Sequence, residues 1–130
     1  MPRYSVQSVV KLKDCHEDLQ NLFREVIKHF DNAILTGHRD KEEQEYAFKQ
    51  GHTQLRYPNG KHNKLPSKAV DSAPYPIDWT DRERFHYYAG FVKGMAASMG
   101  LKIRWGGDWD QDTEVSDNKF DDLVHFELVD

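Results

Sequence analysis

Two histidines and one aspartate stand out by where they fall in the chain. His62 lies in the polar stretch "GKHNKLPS", Asp71 in "KAVDSAPY", which otherwise has the pattern of a buried strand, and His125 in the apolar run "LVHFELV". A carboxylate removed from water is costly unless a cation or hydrogen-bond donors compensate it. A catalytic zinc ion takes three protein ligands from histidine and carboxylate and leaves its fourth position to water. His62, Asp71 and His125 supply that set, and an ion held among them would compensate Asp71. A plainer pattern fits the same residues: Asp71 paired with an arginine or facing water, and His125 hydrogen-bonded within a core. Spacing leaves both open. The histidines at His16, His29, His52 and His86 have polar neighbours on expected helix surfaces or ends, where a solvated imidazole is expected.

The elements that must position these residues follow from periodicity. Leu19, Leu22, Phe23, Val26, Ile27 and Phe30 recur at three and four, and "DCHE" before them offers Asp14 as N-cap with Glu17 three residues on, predicting a helix from about Cys15 to Phe30. Ala33 to Thr36 reads as a short strand ending at Gly37, and "KEEQEYAFKQG" as a helix stopped by Gly51. From His52 to Pro66 the chain has almost no apolar residues and reads as a long loop of the kind that often carries function. "KAVDSAPY" is a strand. Thr80 and Glu83 suggest a second capping box, opening a helix whose stripe runs through Phe85, Tyr88, Ala89, Val92, Met95, Ala96 and Met99 to Gly100. "LKIRW" and "LVHFELV" are the last strands, joined by the polar "GGDWDQDTEVSDNK". A loop rather than a helix between these two favours an α+β fold, a small antiparallel sheet with helices packed against it, over a doubly wound one.

With 130 residues, 38% of them apolar and 31% charged, the chain suits one domain spanning 1–130 with a single core. A formal charge of −4 gives no electrostatic footprint for nucleic acid or an anionic membrane surface. The single cysteine, Cys15, excludes an intramolecular disulfide and a thiolate zinc cluster. No apolar run approaches the ~20 residues of a membrane span, and the N-terminal segment lacks signal-peptide character. The expectation is a monomer made in the cytoplasm, with no stable membrane association.

Four segments, "LTGHRDKEEQ", "GKHNKLPSKAVDSAPYPIDW", "IRWGGDWDQD" and "FDDLVHFEL", in this order resemble the zinc peptidases that cleave peptidoglycan stem peptides. The likeness is greatest to phage endolysins acting as L-alanyl-D-glutamate peptidases, relatives of D-Ala-D-Ala carboxypeptidases. That family carries a Ser-x-His, then Ala-x-Asp, and a later Asp-x-x-His. Here these are Gly60, His62, Ala69 and Asp71, and then Asp122 and His125, with Gly60 in the usual place of serine and His38 where tyrosine is common.

The resemblance implies Zn2+ on His62, Asp71 and His125, and Asp122 as general base, with Asp121 as competitor. Such an ion lowers the pKa of bound water toward ~7 and polarises the scissile carbonyl, while the carboxylate moves the proton. Because Asp122 lies three residues before His125, a regular strand would point them to opposite faces, so the strand is expected to begin after Asp122. Arg39 would engage substrate carboxylate or a developing oxyanion. Gln44, Trp105, Asp108 and Trp109 are substrate-side candidates, with one of the two tryptophans alternatively core and Asp108 alternatively a turn cap. Glu127 shares a face with His125 and could orient its imidazole. The implied action is on peptidoglycan after another factor opens the membrane. Rivals are a D,D-carboxypeptidase or dipeptidase with the same site, a non-catalytic zinc-stabilised wall-binding module, and a metal nuclease, which the acidic balance disfavours.

Overall fold

The computed structural model describes residues 2–130. Its elements are α1 (Val6–Lys13), α2 (Glu17–Val26), β1 (Asn32–Thr36), α3 (Lys41–Lys49), a single 3₁₀ turn at Lys61–Asn63, β2 (Ala69–Pro74), α4 (Arg82–Ser98), β3 (Ile103–Gly106) and β4 (Asp122–Leu128). The strands form one antiparallel sheet in the order β1-β2-β4-β3. No helix among the described residues is long and apolar enough to cross a membrane.

Alternation along the strands separates two chemistries. Val70, Trp105 and Phe126 face a core built with Leu19, Leu22, Phe23 and Val26 of α2 and Tyr88, Ala89, Val92 and Ala96 of α4. Phe126 meets Phe23 and Tyr88 edge-on at ring separations of 5.8 Å and 6.0 Å, a favoured aromatic arrangement. The intervening residues, Asp71, Arg104, His125 and Glu127, belong to the other face, since successive side chains of a strand point oppositely.

The N-terminal helix expectation needs correcting. Asp14 closes α1 rather than opening the next helix, and His16 caps α2, its Nδ1 accepting from the Asp18 amide at 3.0 Å. Helix α1 escaped notice because Val6, Val9 and Val10 are exposed while Ser8 is buried, which hides its amphipathic stripe. At α4 the cap is Asp81, accepting from the Arg84 amide at 3.2 Å, in place of the expected Thr80.

Strand β4 also departs from expectation, because it starts at Asp122 instead of after it. Its pairing with β3 is interrupted: Trp105 faces Phe126, but the next residue, Gly106, faces Asp122. One residue on β3 therefore spans four on β4. This bulge breaks the strict alternation that would have sent Asp122 and His125 to opposite faces.

Candidate metal centre

Neighbouring strands bring Asp71 and His125 together, for these two are paired residues of β2 and β4. The third member, His62, comes from the 3₁₀ turn in the long loop. That turn is tied to the end of β1: the Arg39 amide donates to the His62 carbonyl at 2.8 Å, and Asn63 Nδ2 donates to the Arg39 carbonyl at 3.1 Å. The turn's tight fit explains Gly60, where an added methyl would stand 2.9 Å from Asn63 Oδ1 and 3.3 Å from the Gln44 amide.

Hydrogen bonds fix which imidazole nitrogens face inward. His62 Nδ1 lies 2.6 Å from the Gly37 carbonyl, which can only accept, so Nδ1 carries the proton and Nε2 is free to ligate. His125 Nε2 donates to Glu127 Oε1 at 2.7 Å, leaving Nδ1 for the centre. Asp71 Oδ1 then stands 3.1 Å from His62 Nε2 and 3.4 Å from His125 Nδ1. Ligands about 2.0–2.1 Å from a tetrahedral ion are about 3.3–3.4 Å apart. The three donor atoms, all within 4.8 Å of one another and all on buried residues, thus fit a metal ion.

Asp71 pairs with an arginine, as the plainer pattern expects, and keeps its other oxygen toward the histidines. Oδ1 faces the histidines, while Oδ2 accepts from Arg39 Nη2 at 3.2 Å. Burial raises the Asp71 carboxyl, but His62 and His125 overcome it and hold the group well below the usual range. Burial likewise works against a charged His125, yet hydrogen bonds to Asp71 and Glu127 push it up to about 9 in the metal-free protein. Glu127 is drawn down to about 2, its burial outweighed by His125 and Arg104.

Asp122 lines the cleft, and among the described residues no side chain hydrogen-bonds or ion-pairs with its carboxylate. Burial first, and then the charge of Asp71, push it up to about 7. Its competitor Asp121 is occupied, accepting from Arg82 Nη2 at 2.6 Å and Asn118 Nδ2 at 3.0 Å.

A cleft of about 230 Å³ opens over the two histidines, lined by His62, His125, Asp122, Arg39, Gln44 and Trp109 among others. A second, of about 550 Å³, runs past Asp71, Leu35, His52 and Trp79 and shares Arg39, Phe120 and Asp122 with the first. Trp109 is tilted against His125 at 5.3 Å and donates from Nε1 to the Phe120 carbonyl at 2.7 Å. Gln44 is buried, its amide donating to the Leu55 carbonyl at 2.7 Å.

Two of the expected substrate-side residues are elsewhere. Trp105 is in the core, with Nε1 donating to the Leu123 carbonyl at 2.8 Å. Its place on β3, one residue from Arg104, assigns it to the opposite face. Asp108 caps the following turn by accepting from the amides of Asp112 and Thr113 at 3.3 Å and 3.0 Å. Lys61 and Arg104, by contrast, line the cleft without having been singled out. Alternation with the core-facing Trp105 puts Arg104 on the site face, and the sheet register, which the sequence does not carry, pairs it with Glu127.

Residues 1–129 match the family described as phage L-alanyl-D-glutamate peptidase. The chain belongs to that family. Among its relatives in the phage peptidase family is the L-alanyl-D-glutamate peptidase of Escherichia phage T5, 27% identical over 136 residues that cover 98% of each chain. The fold is also that of the Serratia marcescens L-Ala D-Glu endopeptidase ChiX, with a TM-score of 0.73, 22% identity, and coverage of 98% of this chain and 90% of that one.

Proposed function

We propose that this protein is a zinc-dependent peptidase that hydrolyses the bond between L-alanine and D-glutamate in peptidoglycan stem peptides. The observation that carries the reading is the convergence of the donor atoms of His62, Asp71 and His125 within 4.8 Å of one another in a member of this family. Two imidazoles and one carboxylate are a donor set suited to zinc. Bound there, zinc would lower the pKa of water toward ~7 and polarise the peptide carbonyl.

The chain's own residues divide the remaining work. Asp122 is the general base; a carboxyl raised to about 7 can take a proton from water and return it to the leaving amine near neutral pH. Arg39 directs permanent positive charge and paired donors toward the carbonyl oxygen as negative charge develops. Glu127 and the Gly37 carbonyl hold the two imidazoles in the tautomers that ligation requires. Trp109 supplies an apolar wall, and Gln44 steadies the long loop beside Arg39. Two clefts meeting at Asp122 leave room on both sides of the scissile bond, which suits an endopeptidase better than a carboxypeptidase. As a single catalytic domain acting as a monomer, the enzyme would be made in the host cytoplasm and meet its substrate once the membrane is opened.

Digestion of purified peptidoglycan with mass analysis of the fragments tests this reading. Muramoyl-L-alanine ends and peptides beginning with D-glutamate are expected. Release of terminal D-alanine instead would move the reaction to a D,D-carboxypeptidase. Asp122→Asn should keep one zinc per chain and lose about 10²–10⁴-fold in kcat, whereas unchanged function would favour a binding module.

A further inference from the structure

The metal cleft carries more fixed positive charge than hydrolysis calls for. Arg39 is already engaged with Asp71. Lys61 and Arg104 line the same cleft, and both reach Glu127: Arg104 Nη2 donates to Oε2 at 2.8 Å, while Lys61 Nζ, which also donates to the Leu128 carbonyl, lies 3.5 Å from that oxygen. The other oxygen of Glu127 is taken by His125 at 2.7 Å. One carboxylate therefore serves two permanent cations and an imidazole. The other acid near Lys61, Asp130, is exposed, 4.0 Å away and shared with Lys68.

Arg104 is also under-used as a donor. A guanidinium has five N–H groups, and among the described residues only Nη2 of Arg104 finds an acceptor. Nε is buried without a partner. The guanidinium carbon lies 5.6 Å from the centre of the Trp109 ring, which fixes its plane, and 37% of the side chain is open to solvent. A planar, half-satisfied guanidinium beside an ammonium is suited to a carboxylate.

We propose that Lys61 and Arg104 form a carboxylate subsite that receives the free α-carboxylate of the D-glutamyl residue and makes the enzyme prefer it to the carboxamide, D-isoglutamine. The inference rests on the peptidase reading above. In a stem peptide D-glutamate is joined to L-alanine through its amino group and onward through its side-chain carboxyl. Its α-carboxylate thus stays free on the carbon bonded to the scissile nitrogen. Such a group must be received close to the metal ligands, and Glu127, in contact with His125, holds both cations at that depth. The leaving side of the substrate then lies against Lys61 and Arg104, and Arg39 is left for the carbonyl.

The test uses the zinc-loaded protein and two synthetic muramoyl tetrapeptides that differ only in having D-glutamate or D-isoglutamine. Wild type should prefer the acid by about 10–100-fold in kcat/KM, the worth of a charge-assisted hydrogen bond. Arg104→Gln and, independently, Lys61→Gln should lose much more on the acid than on the amide, chiefly through KM, so that the preference shrinks toward parity. Arg104→Lys should restore part of it. Zinc content and melting temperature are read for each variant, and calorimetry of both peptides with the slowed Asp122→Asn protein should show the same preference in binding. Equal losses on both peptides would mark the cations as structural supports of Glu127 and overturn the inference. Cleavage of both peptides by wild type at equal rates would overturn it while leaving the peptidase reading intact. Failure to cut either at the L-Ala–D-Glu bond would overturn both.

Discussion

Replacing Gly106 with alanine should lower peptidase activity about a hundredfold while the metal centre stays filled. Gly106 pairs with Asp122 across the bulge in β4. A methyl group at Gly106 would stand 2.9 Å from Asp122 Cβ and closer still to its carbonyl oxygen. Comfortable carbon contacts lie at about 3.5–4.0 Å, so Asp122 must retreat by roughly 1 Å. A displacement of that size at a catalytic group costs about 10²-fold, or ~2.7 kcal/mol of transition-state stabilisation. The ligands are insulated from it, because His62 and Asp71 sit on other elements and the Arg104–Glu127 and Trp105–Phe126 pairs lie beyond the bulge. Initial rates on a soluble muropeptide, read beside zinc content and melting temperature, provide the assay. A Gly106→Ala protein with full zinc, an unchanged melt and kcat within about threefold of wild type would show that this close approach does not place the base.

Gly90→Ala provides the contrast: it lies inside α4 with nothing within 4 Å of an added methyl, so thermal denaturation should show a gain of about 0.5–1 kcal/mol and activity should hold. Zinc affinity should fall about tenfold per pH unit on acidification below pH 9, because the His125 proton, held up to about 9 in the metal-free protein, must leave before ligation. Competition with a chromogenic chelator between pH 6.5 and 8.5 measures this, and a flat profile would contradict it. Since the folded pKa of His125 lies above its ordinary value, its contribution to metal-free stability is complete below about pH 6.5 and is lost as pH rises through 9. The Cys15 thiol, pushed up to about 12 by burial and then by Asp14 and Asp71, should resist a disulfide reagent at pH 8 until the protein is denatured.

Much of this architecture was legible where side chains repeat with a clear period. The stripe from Phe85 to Ala96 specified α4, and the apolar runs around Asp71 and His125 marked their strands, because burial imposes those patterns. The antiparallel sheet followed from a loop joining the last two strands. Helix α1 stayed hidden because its valines face water. The first cap fell at His16 rather than Asp14, since an imidazole can accept from an amide as an acid does. Interruption of β4 could not be seen, because pairing register depends on a partner strand distant in sequence. The same holds for the cations: Lys61 and Arg104 read as ordinary surface charges until the sheet and the loop bring them to one carboxylate.

The spatial order β1-β2-β4-β3 sets when the sheet and the cluster on its face can be completed. The strand bearing His125 follows the other three in the chain yet fills an interior position between two of them. A growing polypeptide that lacks it has one antiparallel pair, β1 with β2, an isolated β3 with no neighbour, and only two members of the cluster, His62 and Asp71. The cluster of His62, Asp71 and His125 is therefore completed in one late step, when that strand slots in between β2 and β3.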